Sequence, residues 1–169
     1  MTHPQRGAAL ITALLLLVVL TILGVSVMQM SRVQEKMAGN TRDLNVGFEG
    51  AEGTLRNAEA LIGTQTSRPI ACPDSTCVFR ALNSVGDVAN QDKPWWTNNG
   101  QAFADGSGKP LTGVADNPRY VIEEIAVVSS IPDPTDPSAG RTFYQVTARS
   151  TGASGLSNTI VQSTYARKY

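Results

Sequence analysis

Apolar positions are distributed in three regimes along the chain. From Ala8 to Met28 they run almost without interruption, with Thr12, Thr21, Gly24 and Ser26 as the small or polar exceptions and no charge. As a helix this run spans roughly 30 Å, the thickness of one hydrocarbon core. A buried helix of a soluble protein would show a polar stripe, and this run shows none. Beyond it the pattern thins to Met30, Val33, Met37, Leu44, Phe48, Ala51, Leu55, Ala58 and Ile62, spaced mostly by 3 and 4. Glu35, Lys36, Arg42, Asp43, Glu49, Glu52, Arg56 and Glu59 occupy the other faces. That spacing predicts a helix with a narrow apolar stripe. A single helix from Ala8 to Ile62 would be about 80 Å long, too long for one small domain to cover. Gly39, Gly47, Gly50 and Gly53 fall inside it. They fit equally a stretch that unwinds or admits a close neighbour, and close packing on the domain's own sheet. Gly63 is the expected stop.

The third regime is period two. Arg119–Val128 is rich in β-branched and aromatic residues, Thr142–Thr151 places Tyr144, Val146 and Ala148 on one face, and Thr159–Tyr165 alternates. With a turn at Gly152–Gly155 these predict three antiparallel strands, two joined as a hairpin. The stretch Ile131–Gly140 carries Pro132, Pro134 and Pro137 and is excluded from a ladder. Between the helix and the strands, residues 63–118 give no clear period, although Arg80–Val88 fits a short helix or strand. The expected class is α+β, with the second half of a long N-terminal helix packed on a C-terminal antiparallel sheet.

Composition narrows the function. The chain has 169 residues, with 14 basic and 14 acidic side chains. That balance offers no basic field for nucleic acid. The sole histidine is His3, near the start. A mature protein cut after Gly7 would lose it, and with it any Ser-His or Cys-His arrangement. Gly106-Ser107-Gly108-Lys109 fails as a phosphate loop, because Pro110 follows the lysine and Phe103 stands where a glycine is needed. Glu123 and Glu124 are neighbours on a strand and face opposite ways. Asp133 and Asp136 fit a solvated acidic loop better than a calcium site. Trp95-Trp96 fits partial burial better than an exposed patch. No enzyme, cofactor or metal is expected.

Cys72 and Cys77 are the only cysteines and flank Pro-Asp-Ser-Thr. A disulfide is the expectation, and free thiols or a poor zinc site are the weaker alternatives. A disulfide implies an oxidising compartment. The charges beside the apolar run point the other way, since only Arg6 precedes it and Arg32, Lys36 and Arg42 follow. A large C-terminal domain crosses a membrane largely regardless of such charges.

The junction itself is informative. In Gln5-Arg6-Gly7-Ala8-Ala9-Leu10-Ile11 the glycine lies before the apolar run. A secretory signal is cut behind its apolar stretch. Together with Glu35-Lys36-Met37-Ala38-Gly39-Asn40, Phe48, Ala51-Glu52 and Leu55-Arg56, and with Pro118–Glu124 and Thr147–Gly152, this junction resembles the PilX family of type IV pilus minor pilins. The resemblance covers both ends and leaves about residues 63–117 unassigned.

The resemblance implies a leader at residues 1–7, a membrane span at 8–28, a periplasmic continuation of the helix at 29–62 and a pilin head at 63–169. It implies cleavage between Gly7 and Ala8 by a prepilin peptidase, and methylation of the new amine of Ala8. It also implies a stay in the inner membrane before entry into the fibre. The implied partners are other minor pilins, the major pilin and a tip adhesin. The implied role is to prime assembly at or near the tip, supporting twitching motility and adhesion indirectly. Most pilins have a glutamate fifth after the scissile glycine, where this chain has Thr12. Two other readings are a tip pseudopilin of type II secretion, and an uncleaved membrane-anchored periplasmic binding module.

Overall fold

A computed structural model describes residues 6–73, 77–84, 86–105, 108–129 and 140–169, without the side chains of residues 6–8 and 129. The chain divides into two units, Met1–Arg42 and Asp43–Tyr169. One helix, α1 (Arg6–Thr64), contributes to both. Its first part is led by Leu and Ala, strong helix formers, interspersed with Val and Ile. The hydroxyls that interrupt the apolar run bond back to the helix. Thr12 Oγ1 donates to Ala9 O (3.0 Å), Thr21 Oγ1 to Val18 O (2.7 Å) and Ser26 Oγ to Ile22 O (2.9 Å). Each thereby keeps its donor satisfied away from water.

The head unit holds α1 from Asp43 onward and a five-stranded sheet. Its strands are β1 (Phe79–Ala81), β2 (Gln101–Ala102), β3 (Arg119–Ser129), β4 (Gly140–Thr151) and β5 (Asn158–Lys168). The order is β1-β3-β4-β5, with β2 on β3 as well. β3, β4 and β5 are the expected antiparallel meander, each extending slightly past its expected limits. β3 is irregular between Glu124 and Ala126, whereas β4 and β5 pair without a break from Arg141↔Lys168 to Thr151↔Asn158. β1 adds a parallel partner to β3, with Phe79 opposite Ile122.

One face of the sheet receives α1. Leu55, Ala58 and Ile62 bury against Tyr120, Ile122, Tyr144, Val146 and Ala148. On the other face Val121 packs with Val88 and Trp96. Trp96 lies in α2 (Lys93–Asn99), which starts where the Asp92 carboxylate accepts the Trp95 N–H at 2.9 Å. Trp96 is fully buried and Trp95 half-buried, edge to face at 5.6 Å between centroids. The partial-burial reading of the tryptophan pair therefore holds.

Three expectations need adjustment. First, the helix does not stop at Gly63. It runs through Thr64, and its last carbonyls are satisfied from elsewhere. Thr64 Oγ1 donates to Leu61 O (2.8 Å), and Arg167 Nη1 donates to Ile62 O (2.7 Å). Second, residues 63–118 hold β1, α2, β2 and a short 3-10 turn at Val88–Asn90. Third, the apolar stripe docks only from Ala51 onward, through Leu55, Ala58 and Ile62, and its earlier members Leu44 and Phe48 do not. Leu44 and Phe48 are 52% and 51% exposed, while Gly47, Gly50, Ala51 and Thr54 are buried. The glycines decide this. A Cβ on Gly47 would meet Thr159 Oγ1 at 3.0 Å and Gly152 N at 3.3 Å. One on Gly50 would meet the Ser150 side chain. Gly39 and Gly53 have open space around them.

Candidate assembly interface

Every described side chain of α1 from Ala9 to Arg42 is exposed. Between Ala9 and Met28 this surface is bulky and uncharged, and includes Leu10, Ile11, Leu14, Leu15, Leu16 and Leu17. The helix is long and apolar enough to cross a membrane by length and composition. Lipid tails, or the apolar helices of other subunits, are the surroundings in which such a surface is stable. The cleavage pair predicted from sequence, Gly7 and Ala8, lies on the helical backbone near its start. Thr12 is exposed on the same helix, and its hydroxyl is engaged with Ala9 O. It places no charge in the apolar segment.

Cys72 and Cys77 are joined as a disulfide, with Cα atoms 6.1 Å apart. That removes the free-thiol and zinc alternatives. The bridge braces the sheet. Cys72 N–H donates to Phe79 O (3.1 Å) and Ala81 N–H to Cys72 O (2.8 Å), so Cys72 lies alongside β1. Arg80, buried in β1, donates from Nε to Cys77 O (3.1 Å) and from Nη2 to Asn99 O. One guanidinium thus links the disulfide loop to the C-terminal turn of α2.

The adjacent carboxylates of β3 do face opposite ways. Glu124 lies on the helix side and forms a forked pair with Arg68, at 2.6 and 3.1 Å. Glu123 lies on the other side, where burial pushes its carboxyl above the usual range against the opposing effects of the Asn83 N–H and Arg80. These are structural pairs, and neither opens into an acid–base couple. Among the described residues no group of three or more His, Cys, Asp or Glu is placed to hold a metal ion. His3, Gly106, Ser107, Pro132, Asp133, Pro134, Asp136 and Pro137 lie outside the described residues.

Asp43 is a position the sequence reading passed over. Its carboxylate accepts the Ser157 hydroxyl (2.6 Å), the Ser154 N–H (2.8 Å) and the Ser154 hydroxyl (2.8 Å). These bonds, the Ser157 hydroxyl foremost, hold its carboxyl below the ordinary value of 3.8. Asp43 thereby ties α1 to the β4–β5 turn at Gly152–Ser157. Gly152 has to be a glycine, because a Cβ there would strike both Asp43 and Ser157. An acid one helical turn before a buried glycine is the only sequence signal for this contact.

The surfaces described are thus an unpartnered apolar helix and a braced sheet, equipment for assembly and anchoring. A family model described as PilX N-terminal matches residues 6–56. A second, described as type IV pilus assembly protein PilX C-term, matches residues 53–167. No curated protein and no solved structure matches the chain significantly. Two adjoining models that between them cover the helix and the head show that the chain belongs to the PilX family, minor pilins that are structural components of the type IV pilus.

Proposed function

We propose that this subunit is cleaved between Gly7 and Ala8, methylated on Ala8, held in the inner membrane by residues 8–28, and then moved into the fibre at or near its tip. There it primes pilus assembly with other minor pilins, contacts the major pilin and a tip adhesin, and supports motility and adhesion indirectly. The observation that carries this reading is the exposed, charge-free surface of α1 from Ala9 to Met28. It would aggregate in water and is stable in a bilayer or a bundle of like helices.

Thr12 supports the tip placement. A glutamate at this depth would need a partner, since an unpaired carboxylate in the bilayer costs several kcal/mol. Thr12 satisfies its hydroxyl within its own helix. It has no charge to pair with the N-terminal amine of a subunit already in the fibre. A subunit that does not dock beneath another belongs at the leading end.

Mass spectrometry of the native N-terminus tests the processing step. A methylated Ala8 is expected, and an intact Met1 overturns it. For the tip role, Thr12→Glu should shift tip labelling and lower pilus number on electron micrographs. Normal initiation with unchanged labelling overturns that role.

A further inference from the structure

The two edges of the sheet are finished differently. The β1 edge is three residues long and is bridged by the disulfide-bonded Cys72. The β5 edge is eleven residues long, has no proline, no bulge and no carboxylate, and is unpaired among the described residues. An edge of that kind is a template for another strand unless something blocks it. Here the only charges are Arg167 and Lys168, at one end.

The register shows which backbone groups are free. Tyr169 N–H donates to Gly140 O, and Gly152 N–H to Ser157 O, both at 3.4 Å and both in the β4–β5 register. Odd-numbered residues of β5 therefore exchange bonds with β4. Asn158, Ile160, Gln162, Thr164, Ala166 and Lys168 turn their N–H and C=O away from the sheet.

The exposed apolar residues of the head helix lie on the same side. Glu59 accepts the Ser163 hydroxyl at 2.7 Å, which marks the β5 side of α1. On a helical wheel Phe48 is about 20° from Glu59 and about 180° from Asn57. Asn57 instead reaches Ala104 O at 3.2 Å, on the far side. Gly47, next to Phe48, approaches Thr159. Phe48, with Leu44 one turn earlier, forms an apolar ledge beside the start of β5.

We infer that the outer edge of β5 receives an extended strand from another protein, with an apolar side chain that covers Phe48 and Leu44 and a carboxylate that meets Lys168. Edge and ledge set its length at about ten residues, at about 3.4 Å each. A second copy fits worse, because its own β5 carries no carboxylate to offer Lys168. Backbone bonds give such an addition its affinity, and the ledge gives selectivity.

The test is residue-resolved hydrogen exchange on the full chain, purified in detergent and compared with fibres from the same cells. The amides of Ile160, Gln162, Thr164 and Ala166 should exchange at least about tenfold more slowly in fibres, while those of Val161, Ser163 and Tyr165 stay equally protected in both. Thr164→Pro removes an outward N–H that the fold does not use. It should abolish the added protection and lower pilus number while the odd-numbered amides stay protected. Phe48→Ser, on the exposed ledge, should weaken the added protection without touching the β4–β5 ladder. Unchanged exchange of the even-numbered amides in wild-type fibres overturns the inference. So does normal assembly and protection in both variants, and so does concentration-dependent protection in detergent, which would assign the edge to a second copy. Normal pili in a strain lacking the chain would overturn the assembly role instead. Lost pili in that strain, with wild-type behaviour of both variants, would overturn the edge alone.

Discussion

Up to Met28, α1 carries bulky apolar side chains on every face, and all those described are exposed. From Asp43 it turns Gly47, Gly50, Ala51 and Thr54 to a sheet. Both stretches are helical and both use threonine hydroxyls to satisfy their own carbonyls, Thr21 to Val18 in the first and Thr54 to Gly50 in the second. They differ in what the surroundings demand. A lipid surface accepts any apolar shape, so large side chains are free to point anywhere. A sheet has a fixed relief, so the helix that lies on it needs small residues at the closest points. Apolar periodicity alone does not tell these demands apart. The close approach of Gly47 and Gly50 to the sheet does.

The contrast is most sharply broken in the core. Ile62→Ala should cost the head about 3 kcal/mol in denaturant unfolding of the full chain in detergent, because it opens a cavity under Tyr144 and Val146. Leu16→Ala, the same kind of truncation on the exposed apolar stretch, should change head unfolding by less than about 0.5 kcal/mol. Equal effects would mean that the first stretch also packs on the head. The glycines give a smaller effect with opposite signs. Gly50→Ala drives a methyl into Ser150 and should destabilise by about 1–3 kcal/mol. Gly53→Ala, into open space, should stabilise by up to about 1 kcal/mol. Thermal unfolding of the two variants beside the wild type reads the sign directly.

The smallest effect lies at Asp43, where the two units meet in sequence. Its carboxyl is held below 3.8 in the folded chain. Its contribution is therefore fully present above that value and is lost as pH falls through the lower, folded one. Asp43→Asn should lower the melting temperature at pH 7, with the gap to wild type closing as pH falls below 3.8 and through the lowered folded value. A gap that persists at pH 2 would show that the contact does not depend on the charge.

Much of this architecture is legible before any coordinates. The second half of the long helix and the three long strands declare their periods over seven or more residues each, and junction and helix residues point to the family. The middle of the chain does not declare itself because its elements are too short to show a period. β1 has three residues, β2 two and α2 seven. They are held by a disulfide, by Asp92 at the start of α2 and by a parallel pairing that is not local. Asp92-Lys93-Pro94 was a readable helix start, an acid cap followed by proline in the first turn. Leu44 and Phe48 were misplaced for a different reason. They share a stripe with Leu55 and Ile62, and only the glycines beside them reveal that the sheet lies to one side.

The pairing of Asp43 with Ser157, of Glu59 with Ser163 and of Ile62 with Arg167 spans 114, 104 and 105 positions. Such separations have a kinetic meaning, because contacts between remote residues close slowly. The head side of the helix is synthesised early and reaches its last partners only when β5 has arrived. Until then Ala51, Leu55, Ala58 and Ile62 have no completed sheet to lie on. Folding of the head is therefore timed by delivery of its final strand. A subunit stalled partway through export would present this face to any helper or protease nearby.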